Sequence, residues 1–352
     1  MKLLAIIFVL VCLVGVTYSS SGQFLKPEVI KTVAEFDAFP WLDPEKENDG
    51  HQNICYQELN AIATDNELIL LTDHVSEVTR SYAFKALVKR NSVDLMPIIL
   101  KHLNDKGYVN TWAGCMNSWE SISDYFLQLI STSHFPLNSY QITTDQKSKL
   151  DSIIIFDKST TAVRSKAEIL INLKPEQKYY ERIREIVIKD SSNCGLIALS
   201  RFREFQDKEL IIGNLISKVT DNKYYGLWAV RNYPDSSFFP YIKAIHKRET
   251  ERGQTCYIIR MLYQAIVQYR NQESKDLLDL TCNTIKLNTP KTLPKSMGAP
   301  SECHSRFMLQ ALEKYPHSIY QGYKDNLFLT KWELFDVNAT KNEMDEILPF
   351  SY

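Results

Sequence analysis

The sequence predicts an all-α fold, an α-α superhelix of about seven stacked helix pairs. Three observations predict it. Glycine and proline are scarce in a chain of 352 residues, at 11 and 13, and few breakers over such a length favour helices over a turn-rich β protein. Apolar residues recur at helical spacing, as in Val78, Tyr82, Ala83 and Leu87 and then Leu95, Ile98, Ile99 and Leu103. An alanine returns inside successive helical stretches, at Ala83, Ala167, Ala198, Ala229, Ala265 and Ala311. The gaps are 84, 31, 31, 36 and 46 residues, the first long enough for two repeats with a diverged copy near 118–130. A small residue at a repeated position lets two helices approach closely. A helix pair buries only one face alone, so neighbours must stack to complete the core.

The N-terminus has the grammar of a secretory signal peptide. Lys2 supplies a positive start, residues 3–16 form an apolar run, and 17–22 are small and polar. Fourteen residues are too few for a hydrocarbon core that needs about 20 per helix. The expectation is therefore a signal peptide over 1–21, an irregular leader over 22–52, helical repeats over 53–330 and a tail over 331–352, with no membrane span in the mature chain. Within the leader, 27–36 can form a short helix. The expected location is secreted or periplasmic.

Losing 1–21 takes the basic count from 41 to 40 against 42 acidic residues. A balance near zero offers no global field for nucleic acid or anionic lipid, so a nucleic-acid partner is not expected. Export leaves six cysteines in an oxidising setting: Cys55, Cys115, Cys194, Cys256, Cys282 and Cys303. Six cysteines allow 15 connectivities. Cys282 and Cys303 flank a proline-rich stretch, and a bridge there would clip the ends of a long loop. Cys55–Cys115 and Cys194–Cys256 then follow by proximity along the chain. The alternative is that several are buried thiols packing like small apolar residues.

The clearest repeat runs from 67 to 105: two amphipathic stretches broken at 91–94, with Asp94 placed to cap the second helix and Pro97 in its first turn. The same pattern returns over 158–190, where the first helix stops before Pro175. The segments carrying Asp73, Val78, Arg80, Ala83 and Leu87, and Val163, Arg164 and Ala167, resemble HEAT repeats, in which V-R-x-x-A-x-x-x-L stands on one helix of a pair. Later copies keep the alanine and lose the arginine in place. The resemblance covers roughly 54–330. It implies a curved stack with an extended concave surface that binds other macromolecules, and it implies no chemistry.

No catalytic residue, metal ligand or cofactor site is expected. The seven histidines form neither HxxxH nor HxH, no cysteines stand in CxxC, and P-loop, GxGxxG and GxSxG motifs are absent. His102, at the end of an apolar helix, reads as a C-terminal histidine favoured by the macrodipole. Carboxylate pairs such as Glu249 with Glu251 read as solvated helix surface. Aromatic residues cluster at Tyr108, Trp112, Trp119, Tyr125 and Phe126. Binding surfaces favour Tyr and Trp, so Tyr108, Trp112 and Trp119 are the candidate binding residues; the alternative is that they fill gaps between helices. Asn338 opens an N-glycosylation sequon that matters only in a eukaryotic secretory route. The expected function is an exported scaffold holding a protein or polymer partner. Its rivals are an exported hydrolase or lyase acting on polysaccharide, and a structural protein of the cell surface.

Overall fold

The computed structural model describes residues 25–39, 41–42, 50–113, 116–131, 140, 142–252, 256–288 and 300–323. The expected signal peptide, Cys115, the sequon at Asn338 and the tail lie outside the described residues. Among those described there are sixteen α-helices and three short strands. None of the helices is long and apolar enough to cross a membrane. The chain divides into two compact units, Met1–Ser165 and Lys166–Tyr352.

The first unit holds α1 (Pro27–Phe36), β1 (Trp41–Leu42), α2 (His51–Ile62), α3 (Asp65–Leu71), α4 (Glu77–Arg90), α5 (Met96–His102), β2 (Tyr108–Ala113), β3 (Met116–Ser121), α6 (Ile122–Leu129) and α7 (Thr144–Phe156). Local chemistry sets the helix starts. Thr64 and Glu67 form a reciprocal capping box on α3, Ser76 caps α4, and Thr143 with Gln146 closes a second box on α7. Asp94 accepts from the Met96 N–H at 3.1 Å, and Pro97 sits in the first turn of α5. Asn91 ends α4 at φ 51°, a left-handed conformation that Asn tolerates better than most residues. Odd and even helices pair as α1 on α2, α3 on α4 and α5 on α6, while α2, α4 and α6 pack in sequence. The core follows that row: Phe36 stacks on Tyr82 at 4.6 Å, and Phe84 lies flat on Phe126 at 3.9 Å between ring centres.

The diverged repeat expected between Ala83 and Ala167 opens with strands. Tyr108, Val109, Thr111 and Trp112 are β-branched or aromatic and fit a pleated, half-buried surface better than a helix. Val109 and Leu42 turn inward and are fully buried. Their burial fixes the register, since a slip of one residue would expose both. β2 and β3 form an antiparallel hairpin, and β1 adds to β2 in parallel.

α8 (Val163–Asn172) spans the boundary between the units. The second unit continues with α9 (Tyr180–Lys189), α10 (Asn193–Ser200), α11 (Lys208–Ile216), α12 (Thr220–Asn232), α13 (Phe239–Arg252), α14 (Cys256–Val267), α15 (Gln272–Asn288) and α16 (Pro300–Lys314). Here α10, α12, α14 and α16 pack each against the next, and α11, α13 and α15 form a second row. The alanines lie on the first row: Ala198, Ala229, Ala265 and Ala311 are buried on α10, α12, α14 and α16. Ala83 is buried on α4, while Ala167 on α8 is half-buried.

The disulfide pairing departs from proximity along the chain. Cys303 bonds to Cys256, not to Cys282. Cys256 opens α14 and Cys303 lies in the first turn of α16; these helices are neighbours in one row, which brings their starts together with Cα atoms 5.8 Å apart. Cys282 lies within α15, its side chain buried, and carries a thiol, as do Cys55 and Cys194. Burial pushes the Cys194 thiol up to about 11 despite a hydrogen bond with Tyr225.

Candidate functional site

The candidate binding residues come together on the sheet of the first unit. Trp41 stands opposite Asn110, which stands opposite Trp119 on its other side. Residues directly opposite in a sheet project from one face, as do residues two apart in a strand. Trp41, Asn110, Trp119 and Tyr108 therefore share a face, and the three aromatic side chains are 41%, 66% and 54% exposed. Trp41 and Trp119 are two strands apart, about 9–10 Å at the usual strand spacing. The amide oxygen of Asn110, between them, is buried with no hydrogen-bond partner among the described residues. Trp112 belongs to β2 and pairs with Asn117.

The opposite face and the ends hold this surface in place. Gln52 on α2 donates from Nε2 to the Trp41 carbonyl at 2.9 Å, and its Oε1 accepts from the Tyr82 hydroxyl at 2.7 Å. A buried side-chain bridge thus ties β1 to α2 and α4. At the entry to β2, the Gly107 N–H donates to Asp105 Oδ1 at 2.8 Å, and Arg80 Nη2 donates to the same oxygen at 3.2 Å. A Cβ on Gly107 would fall 2.0 Å from that Arg80 nitrogen, so a larger residue there would displace the guanidinium from Asp105. His102 reaches the other Asp105 oxygen from Nδ1 at 2.9 Å. Burial opposes ionisation of Asp105, but the bonds from His102 and Gly107 and the Arg80 charge outweigh it and hold the carboxyl below its ordinary range. At the exit, Ser121 caps α6, and Asp124 accepts from the Arg164 N–H at 3.2 Å and the Ser165 N–H at 2.8 Å. Arg164 Nη1 also reaches Glu120 Oε1 at 3.1 Å. Arg80 and Arg164 thus both anchor the open end of the hairpin, Arg80 beside the start of β2 and Arg164 beside the end of β3.

Trp41 is the residue that sequence reasoning left in an irregular leader; its signal was the Phe-Pro-Trp-Leu run at 39–42, too short to read as a strand without its partner. Beside it stands a second group. Phe39 lies 6.3 Å from Trp41 and 5.7 Å from His51, ring centre to ring centre. Glu35, His51 and Cys55 bring a carboxylate oxygen, an imidazole nitrogen and a sulfur within 4.8 Å of one another. A search for histidine pairs passes over this group, because its sequence signal is His-x-x-x-Cys, with the third member on another helix. Tyr125 and Phe126, grouped with the aromatics in sequence, belong to the core.

Comparison of the chain with protein-family models, with curated proteins and with solved structures found no match.

Proposed function

We propose that this chain is an exported helical-repeat binding protein that holds a polymer on the aromatic face of its small sheet. The observation that carries this reading is the row Trp41–Asn110–Trp119, with Tyr108 beside it, left exposed on a rigidly anchored sheet. Large exposed aromatics that share one face mark interaction sites rather than scattered surface hydrophobes. A flat surface with two indoles about 9–10 Å apart suits a chain of repeating rings. Sugar rings present flat arrays of C–H groups to such indoles, and their hydroxyls fit the polar Asn110 between them. The near-neutral charge balance disfavours nucleic acid as the polymer. A HEAT-like stack is supported by the alternating helix rows in each unit and by the buried alanines. Export is supported by the N-terminal apolar run and by the Cys256–Cys303 disulfide, which persists in oxidising compartments.

The test is co-sedimentation of the purified chain with insoluble cellulose and chitin, and affinity electrophoresis in soluble β-glucan. Depletion or retardation by one of these, abolished in Trp119→Ala, is the expected result. No interaction with any of them, together with stoichiometric recovery of a single protein from an extracellular extract, would replace the polymer by a protein partner.

A further inference from the structure

Glu35, on the last turn of α1, faces the start of α2, where His51 and Cys55 stand one turn apart on one face. His51 Nε2 lies 3.1 Å from Glu35 Oε2 and 3.7 Å from Cys55 Sγ. One ring nitrogen thus faces both partners. In a nucleophile–base–acid relay the two ring nitrogens serve different partners, so this is not that arrangement. It is the arrangement of three donors converging on one centre. Around a tetrahedral zinc, with bonds of about 2.0–2.3 Å, neighbouring ligand atoms lie roughly 3.3–3.6 Å apart. The two observed separations bracket that range.

The donor set points the same way. A carboxylate, an imidazole and a thiol together match a borderline ion such as zinc, whereas calcium and magnesium require oxygen ligands. Glu35 and His51 are exposed while Cys55 is buried, so an ion has an entry path, and three protein ligands leave a fourth position for water.

We propose that Glu35, His51 and Cys55 form a zinc site that ties α1 to α2. The site is independent of the aromatic face, and polymer binding can fail without affecting it.

The experiment uses the chelator-stripped chain titrated with zinc chloride and, separately, with cobalt chloride. One zinc per chain is expected, with proton release seen as a buffer-dependent heat. The cobalt form should show a thiolate-to-metal charge-transfer band together with the intense visible bands of a four-coordinate ion. Cys55→Ser should remove the charge-transfer band, and His51→Gln and Glu35→Gln should each weaken zinc binding at least tenfold. His51 and Glu35 are exposed, so these last two variants are expected to keep the wild-type circular dichroism. A charge-transfer band that survives in Cys55→Ser, zinc affinity unchanged in His51→Gln, or a peptide map showing Cys55 bonded to Cys115 would overturn the proposal.

Discussion

The hydroxyl of Tyr263 lies 2.7 Å from Nδ1 of His304, at the centre of the second unit. Acceptor chemistry orders the protons around this pair. The Glu249 carbonyl, 3.2 Å from His304 Nε2, can only accept, so Nε2 carries the hydrogen and Nδ1 accepts from Tyr263. Thr281 donates to the Leu277 carbonyl and accepts from His246 Nε2 at 2.7 Å. α13, α14, α15 and α16 each contribute to one buried network, which works with both imidazoles neutral.

That network predicts a pH dependence. Burial, and then the nearby His304, lower His246 to about 4 from 6.5; burial also lowers His304. As pH falls below about 6.5 the unfolded chain takes up these protons while the folded chain refuses them. Stability is therefore full above that pH, declines as pH falls toward about 4, and levels off below. For His246 alone the full loss is on the order of 3 kcal/mol. Urea midpoints at pH 7.5 and pH 5 should show the decline, and His246→Leu should flatten it. A wild-type midpoint equal at both values would contradict the network. Glu67, held near 2 by bonds from Thr64 and Lys26 against the opposing effect of burial, adds a separate loss only below about 4.5.

Arg201 closes the end of α8. Its Nη1 donates to the Leu170 and Leu173 carbonyls at 3.2 and 3.3 Å, and Nη2 donates to that of Ile171. Arg90 repeats the device at the end of α2, with Nη2 on the Ala63 carbonyl at 2.8 Å and Nη1 on Asp65 at 2.7 Å. A guanidinium presents its donors in a fixed planar fork, whereas a lysine ammonium is a compact point charge on a flexible stem. Arg201→Lys should therefore lose about 1–2 kcal/mol in urea unfolding, and Arg201→Met more. A lysine variant as stable as wild type would show that the fork is idle.

Ala229 is fully buried on α12, between α10 and α14. Ala229→Leu should cost about 1–3 kcal/mol by overpacking, while Ala167→Leu, at the half-buried position, should cost less. Thermal unfolding of the two variants checks the order, and equal costs would count against a repeated close approach at the alanines.

The Cys256–Cys303 bond joins residues 47 apart in sequence. Loop-closure entropy for such a span gives about 4 kcal/mol as an upper figure. A non-reducing peptide map should recover these two cysteines linked, and Cys303→Ser should lower the melting temperature. Cys303 linked to Cys282 would contradict the alignment of α14 with α16.

Much of the helical architecture was legible because burial and helix period act locally. The alanines, Asp94 at the start of α5 and the stop before Pro175 mark where helices lie. The sheet was not legible, because β1 is two residues long and depends on a parallel partner nearly seventy positions later. For the same reason Tyr108 and Trp119 stood out as a cluster while Trp41 did not. The Cys256–Cys303 pairing was not legible either, because distance along the chain ignores the row that sets α14 beside α16.

The proposed polymer site requires Trp41 and Trp119 to act together as one platform. The most direct measurement is a double-mutant cycle in affinity electrophoresis, with β-glucan, or whichever of the probe polymers retards the wild type, as the ligand. Each of Trp41→Ala and Trp119→Ala should lose about 1–3 kcal/mol of binding, and the pair should be non-additive because both rings contact one chain. Wild-type affinity in both single variants would contradict the platform.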